Sequence, residues 1–177
     1  LCSAQIGDVI YYGGSFTAST TSIALNRCCE YLYNLGGNGA FFPLGLGVNG
    51  DVYAMAASGN DLYLGGAFTQ TQTSTKTITT TYFTKFDTLT GDYYPYTGLD
   101  GAVRSIRILG PDLVLIAGDF TTPSNKLCLL KGRQFKRLNG LTSAPIVKPY
   151  GDDSVVFSPG IEGLIKSISS NVEAFKP

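Results

Sequence analysis

The sequence holds no histidine, no tryptophan and a single methionine. The missing histidine excludes imidazole acid/base catalysis, Ser-His-Asp triads and histidine-ligated zinc, copper or iron, so any chemistry would rest on Asp, Glu, Tyr, Lys or Cys. Charge is scarce, at 15% of residues, and balanced, with thirteen Lys and Arg against thirteen Asp and Glu. A protein that coats nucleic acid carries a basic excess, so no nucleic-acid partner is expected. The 44% hydrophobic content is too high for a disordered chain. No apolar run approaches the roughly 20 residues that span a bilayer, the longest being stretches such as Val52 to Ala57 and Leu113 to Ala117. No asparagine stands two places before Ser or Thr, so acceptors for N-glycosylation are lacking too.

Cysteine is sparse. Cys28 and Cys29 are adjacent and would point to opposite faces of a strand, so both cannot join one compact metal site. With Cys2 and Cys128 they read as small hydrophobes whose redox state the sequence leaves open. Neither metal nor cofactor is expected. The chain starts with Leu1 rather than Met and reads as part of something longer. Its 177 residues are one domain's worth of sequence.

What is present is an internal repeat. Gly7-Asp8-Val9-Ile10-Tyr11-Tyr12-Gly13-Gly14-Ser15-Phe16-Thr17 aligns with Asn60-Asp61-Leu62-Tyr63-Leu64-Gly65-Gly66-Ala67-Phe68-Thr69 and with Leu113-Val114-Leu115-Ile116-Ala117-Gly118-Asp119-Phe120-Thr121. Phe16, Phe68 and Phe120 are each 52 residues apart. Val52-Tyr53-Ala54-Met55 matches Val103-Arg104-Ser105-Ile106, each following an Asn-Gly or Asp-Gly pair that favours a tight turn. Aromatics recur near each repeat's end, at Phe41, Tyr93 and Phe135.

Each unit reads as four short strands. In the second they are Val52 to Ala57, Asp61 to Gly65, Tyr82 to Asp87 and Tyr93 to Tyr96, separated by turn signals such as Ser58-Gly59-Asn60. No segment carries an apolar stripe at helical spacing, so the chain is expected to be all-β. Four-stranded antiparallel units with this period suit the blades of a β-propeller. A Gly-Gly pair inside an apolar strand marks a close approach of neighbouring backbone, here expected beside the next blade. Phosphate cradling by these glycines is not expected, since neither GxGxxG nor GxxxxGK[ST] occurs at a strand-to-helix junction.

The stretch Gly13-Gly14-Ser15-Phe16-Thr17, then Leu25-Asn26-Arg27, Phe41-Phe42-Pro43-Leu44-Gly45, Asn49-Gly50 and Val52-Tyr53-Ala54-Met55, resembles kelch-like propeller repeats. In those repeats a GGxFT strand, an NR strand, an aromatic-x-P-L-G strand and NGxVxAL follow one another. The resemblance covers roughly residues 6 to 141 and implies an architecture, not an activity. Such repeats occur in fungal cortical markers, bacterial surface and secreted proteins, amoebal proteins and proteins of large DNA viruses, so it also implies a place in a cell-surface or virion assembly. Phe41, Tyr93 and Phe135 stand where the family usually has Trp, and Ser158-Pro159-Gly160 replaces the Gly-Gly-x-Phe motif in the last unit.

One propeller domain is expected over 1–177, with units near 5–46, 47–98, 99–140 and 141–177. The first unit is taken to begin at its second strand, and 177 residues at a 52-residue period give about 3.4 units. That count implies an incomplete or small ring, since propellers close with about four to eight blades. In the last unit Ala144 to Tyr150, Ser154 to Ser158, Leu164 to Ile168 and Val172 to Phe175 are candidate strands.

Two segments are candidate partner-binding sites. Thr69 to Thr81 lengthens one connection, and Thr71, Thr73, Thr75 and Thr77 would line one face of an extended strand in a protruding hairpin. Charge is uneven: residues 1–100 hold three basic and seven acidic residues, so residues 101–177 carry a net +4 against −4. Lys126, Lys131, Arg133, Lys136 and Arg137 form the strongest basic row, suited to an acidic surface or a second copy of the chain, or to guarding a strand edge.

Catalysis is not expected. Asp152-Asp153 and the turn acids Asp51, Asp61 and Asp100 are the best paired carboxylates for a glycosidase, but the acids recur with the turns. A structural or protein-interaction module, meeting other proteins or its own copies, needs only stacked blades and exposed loops. The alternative is a lectin-like, glycan-binding propeller using Tyr11, Tyr93, Tyr94, Tyr96 and Tyr150.

Overall fold

The computed structural model describes residues 1–19, 23–33, 39–137, 146–150 and 154–158. All of its regular structure is β, with no helix among the described residues. β1 (Cys2–Ile6), β2 (Val9–Gly13), β3 (Cys28–Leu32) and β4 (Ala40–Pro43) form an antiparallel meander, the first sheet. After β5 (Gly47–Val48) comes the second sheet, begun by β6 (Val52–Ser58) and β7 (Asp61–Gly66). β8 (Gln70–Gln72) and β9 (Thr77–Thr79) leave it to form a small sheet in the order β5-β8-β9, and β10 (Phe83–Asp87) and β11 (Asp92–Pro95) complete it. The third sheet is β12 (Val103–Gly110), β13 (Leu113–Gly118), β14 (Leu127–Lys131) and β15 (Gln134–Arg137). β16 (Ile146–Tyr150) and β17 (Ser154–Ser158) form a hairpin.

The strands of the second unit fall within a residue or two of their expected bounds. The first unit differs. It does not begin at its second strand: Cys2–Ile6 pairs with β2 from Cys2↔Gly13 to Ile6↔Val9, so the first sheet is complete. Cys-Ser-Ala-Gln-Ile carries small and polar residues where the other first strands carry Val, Met and Ile, which is why its sequence gives little strand signal. The candidate strands Leu164 to Ile168 and Val172 to Phe175 lie outside the described residues.

The repeat recurs as a hydrogen-bond pattern. Arg27, Tyr82 and Lys126, just before the third strand of each sheet, are left-handed, with φ of 72°, 63° and 62°. Their N–H groups donate to the carbonyls of Phe16, Phe68 and Phe120 at 2.8, 2.9 and 2.9 Å. Their own carbonyls accept from the N–H of Gly14, Gly66 and Gly118, each at 3.0 Å. A left-handed non-glycine residue costs about 1 kcal/mol, and two backbone hydrogen bonds hold it in every copy. Phe68 and Phe120 are fully buried beside these bonds, and truncating either to Ala would cost about 3–5 kcal/mol.

Alternation along the strands gives the second sheet two apolar faces. Leu62, Leu64, Phe86 and Tyr93 pack with Tyr11 and Cys28 of the first sheet, whereas Tyr63, Phe83 and Tyr96 pack with Val114, Ile116 and Cys128 of the third. The first strands lie side by side, β1 along β6 and β6 along β12. The paired glycines divide the work between them. A Cβ on Gly13 would lie 2.6 Å from Val52 Cγ1, and one on Gly65 2.4 Å from Val103 Cγ1, so the first glycine of each pair admits a valine of the next sheet. A Cβ on Gly66 would lie 1.9 Å from the Asp51 carbonyl oxygen, and one on Gly118, which follows Ala117, 2.1 Å from that of Ala102, so these two admit the backbone of their own sheet.

Candidate functional site

The threonine hairpin forms, but its threonines do not share an exposed face. β8 lies between β5 and β9, paired Val48↔Thr71 and Thr71↔Ile78. This central place buries Thr71 completely, with no partner for its hydroxyl among the described residues, so it offers nothing to a binding partner. The Thr73 hydroxyl accepts from Lys76 N–H at 3.1 Å and shapes the turn. Thr75 and Thr77 are exposed. The sequence shows the alternation but not which strand becomes the middle one.

The basic row is divided by the β14–β15 hairpin. Lys126 precedes β14 and Lys131 ends it, which places them about 17 Å apart along the strand. Arg137 pairs opposite Cys128 near the Lys126 end, while Lys131 pairs opposite Gln134 next to Arg133. Arg133 is engaged across sheets, its guanidinium 5.8 Å from the Tyr94 ring, which also has Lys85 Nζ at 4.8 Å. Lys136 Nζ donates to Gln134 Oε1 at 2.6 Å. β15 is the outer strand of its sheet, where lysine and arginine oppose edge-to-edge pairing.

A polar cluster forms instead where the first strands begin. Register shifts between Val52 and Ala54 and between Val103 and Ser105 bulge Tyr53 and Arg104 out of β6 and β12. The Arg104 guanidinium lies 4.3 Å from the Tyr53 ring centroid, and its Nε 2.7 Å from Asp119 Oδ2. Arg27 Nε stands 3.2 Å from Asp51 Oδ1. The Arg104 and Asp119 side chains are half exposed, so their pairing is worth about 0–1 kcal/mol and leaves both within reach of a partner. Sequence inspection does not single out this pair, although Tyr53 and Arg104 occupy the same place in the aligned Val-Tyr-Ala-Met and Val-Arg-Ser-Ile.

Asn49 and Asp100, expected as tight-turn residues, fasten the loop between the second and third strands. Asn49 Oδ1 accepts from the N–H of Thr69 at 2.8 Å and of Gln70 at 2.9 Å. Asp100 Oδ1 accepts from the N–H of Thr121 at 2.7 Å and of Thr122 at 2.9 Å, and Oδ2 accepts from both hydroxyls. The Thr121 hydroxyl and the two backbone N–H groups hold the Asp100 carboxyl well below the usual carboxylate range. The glycines that follow are required, since a Cβ on Gly50 would lie 2.5 Å from the Ala67 carbonyl oxygen.

The carboxylates considered for glycosidase chemistry do not converge. Asp51 pairs with Arg27, Asp61 with Lys85 at 2.9 Å, and Asp100 with its threonines. Asp152 and Asp153 lie outside the described residues. Of the aromatics considered for glycan binding, Tyr11, Tyr93 and Tyr96 are buried in the inter-sheet cores and Tyr94 is partly covered. Among the described residues no group of three His, Cys, Asp or Glu side chains is placed to hold a metal ion. Burial pushes the thiols of Cys28 and Cys128 up to about 12, and those of Cys2 and Cys29 to about 11, so all four are protonated at neutral pH. Among the described residues no helix is long and apolar enough to cross a membrane. No protein-family model, curated protein or solved structure matches this chain.

Proposed function

We propose that the chain is a kelch-like β-propeller module with a non-catalytic, structural or protein-interaction role, built into a larger assembly such as a cell surface or virion. The observation that carries this reading is the second sheet, apolar on both faces and packed through equivalent positions against a sheet on each side. Charged side chains support the same role. Arg27–Asp51, Lys85–Asp61 and Arg104–Asp119 stitch strands together, and Asn49 and Asp100 fasten loops. The Tyr53–Arg104–Asp119 cluster, half exposed and carried by the first strands β6 and β12 and the end of β13, is the surface we assign to a protein partner. A glycan array and a cross-linking screen against surface proteins test the reading together. Partner capture that Arg104→Glu abolishes supports it, while an array hit lost in Tyr53→Ala replaces it with the lectin function.

A further inference from the structure

Each four-stranded sheet ends in an outer strand, and the three outer edges differ. β8 and β9 pack against β11, the outer strand of the second sheet. β15, outermost in the third, ends in Lys136 and Arg137. β4, outermost in the first, is Ala40-Phe41-Phe42-Pro43, uncharged, exposed at every residue, and with no strand beyond it among the described residues. Phe41 is 38% and Phe42 44% exposed, on opposite faces of the strand. The Phe41 ring lies 4.9 Å from Tyr31 and 6.2 Å from Tyr12, so an aromatic row runs inward from the edge. Native sheets otherwise avoid an open edge that is apolar and uncharged. The register shows which backbone groups that edge presents. Gly14 N–H donates to the Arg27 carbonyl at 3.0 Å, and opposed pairs in an antiparallel ladder alternate between bonded and unbonded. Counting from that bond, the unbroken register makes Tyr12↔Cys29 and Ile10↔Tyr31 the bonded pairs on one side of β3, and Glu30↔Phe42 and Leu32↔Ala40 those on the other. Phe41 N–H and C=O therefore point away from the sheet, as does the Pro43 carbonyl, and the N–H that proline lacks falls on the free side.

We propose that β4 pairs antiparallel with β4 of a second copy of the chain, about a two-fold axis at Phe41, so that two first sheets join into one. The inference rests on the interaction role proposed above, for which it names a partner, and it uses an edge separate from the Tyr53–Arg104–Asp119 cluster. In this register Phe41 stands opposite its own counterpart and exchanges two backbone hydrogen bonds with it, and the Ile10-Tyr31-Phe41 row continues into the other molecule. Phe42 meets Ala40 of the second copy, large against small, and the Pro43 carbonyl faces its Gly39 N–H. Charge selects a second copy as the occupant. A two-fold contact sets residues near the axis against themselves, where any charge meets its like. β4 escapes this because it has no charge, whereas β15 would bring Lys136 and Arg137 of both copies to one edge. A partner recruited by charge would find no ion on β4 to pair with.

Sedimentation equilibrium on the full chain between about 1 and 300 µM tests this, with amide exchange followed by NMR at both ends of the range. Wild type should pass from monomer to dimer. Phe41 N–H should exchange at least about tenfold more slowly in the dimer, while Phe42 N–H, already bonded within its sheet, changes little. Phe41→Lys and Phe41→Glu should each weaken self-association at least about tenfold, and their equimolar mixture should restore the dimer, because opposite charges then face each other. Wild type that stays monomeric throughout overturns the proposal, and so does a mixture that associates no better than either variant. Protection of Phe41 N–H that does not change with concentration also overturns it, and would give the edge to the chain's own residues. If either variant unfolds, mass and exchange of the wild type decide by themselves. Arg104→Glu should leave the dimer intact, and its loss there would move self-association to the cluster. Partner capture through Arg104 by a chain that stays monomeric would keep the interaction role and remove this inference alone.

Discussion

Gly65 and Val103 meet across the second and third sheets at a distance that leaves no room for a side chain on the glycine, since a Cβ there would lie 2.4 Å from Val103 Cγ1. Gly13 and Val52 repeat the relationship one sheet earlier, at 2.6 Å. We expect Gly65→Val to lower stability by about 1–3 kcal/mol through overpacking, and Val103→Ala introduced with it to restore part of the loss. Gly110→Ala, with nothing within 4 Å of the added carbon, is the control and should stay within about 0.5 kcal/mol of wild type. Urea midpoints decide the matter, and equal losses for Gly65→Val and Gly110→Ala would refute it.

Asp100 gives the chain an acid limb. Its carboxyl is held well below the ordinary value by the threonine hydroxyl and N–H donors. A depressed carboxyl stabilises the fold fully above its unfolded value of about 3.9 and loses that contribution as pH falls toward the folded value. Stability should therefore decline below about pH 4, and Asp100→Asn should flatten that decline, because Asn49 does the same work with an amide. Urea midpoints taken between about pH 2 and 5 would show it. Parallel curves for wild type and variant would remove Asp100 from the account.

Tyr93 is tied across the first interface by a hydroxyl that donates to the Leu44 carbonyl at 2.7 Å and lies 3.4 Å from Cys28 Sγ. Tyr93→Phe keeps the ring and removes one of two donors to that carbonyl, which still accepts from Gly47 N–H at 2.9 Å, at a cost of about 0.5–1.5 kcal/mol. Thermal unfolding measures this, and a variant as stable as wild type would mean that the Gly47 N–H alone satisfies the carbonyl.

The thiols should be quiet. Cys28, Cys29 and Cys128 are buried and held protonated, and all four cysteines are unpaired. At about pH 8 a disulfide reagent should label no more than Cys2 in the folded chain, with the other three reacting only on denaturation. Rapid labelling of Cys128 in the native chain would show that the inter-sheet core opens readily.

The period and the strands of the second unit are legible because Phe16, Phe68 and Phe120 mark a position that must be apolar in every copy, next to glycines that must be small. Other features depend on pairings that composition does not encode. β1 is hidden by its small and polar residues, yet pairing with β2 makes it a strand. Thr71 becomes buried because β8 is flanked on both sides, and the basic row divides because its residues run down one strand and back along the next. Tyr53 and Arg104 could be matched by alignment, but only the two bulges turn them toward each other.

The connection between second and third strands spans ten residues in the first unit, thirteen in the second and five in the third, counted between the motif Phe and the left-handed residue. All three are closed by the same pair of backbone hydrogen bonds, so whatever length is inserted, its two ends return to one fixed gate. Loop length enters the closure entropy only logarithmically, and doubling it costs about 0.6 kcal/mol. This is the place where the chain changes length from unit to unit, and where a peptide grafted between the fastened ends would be displayed on an undisturbed frame.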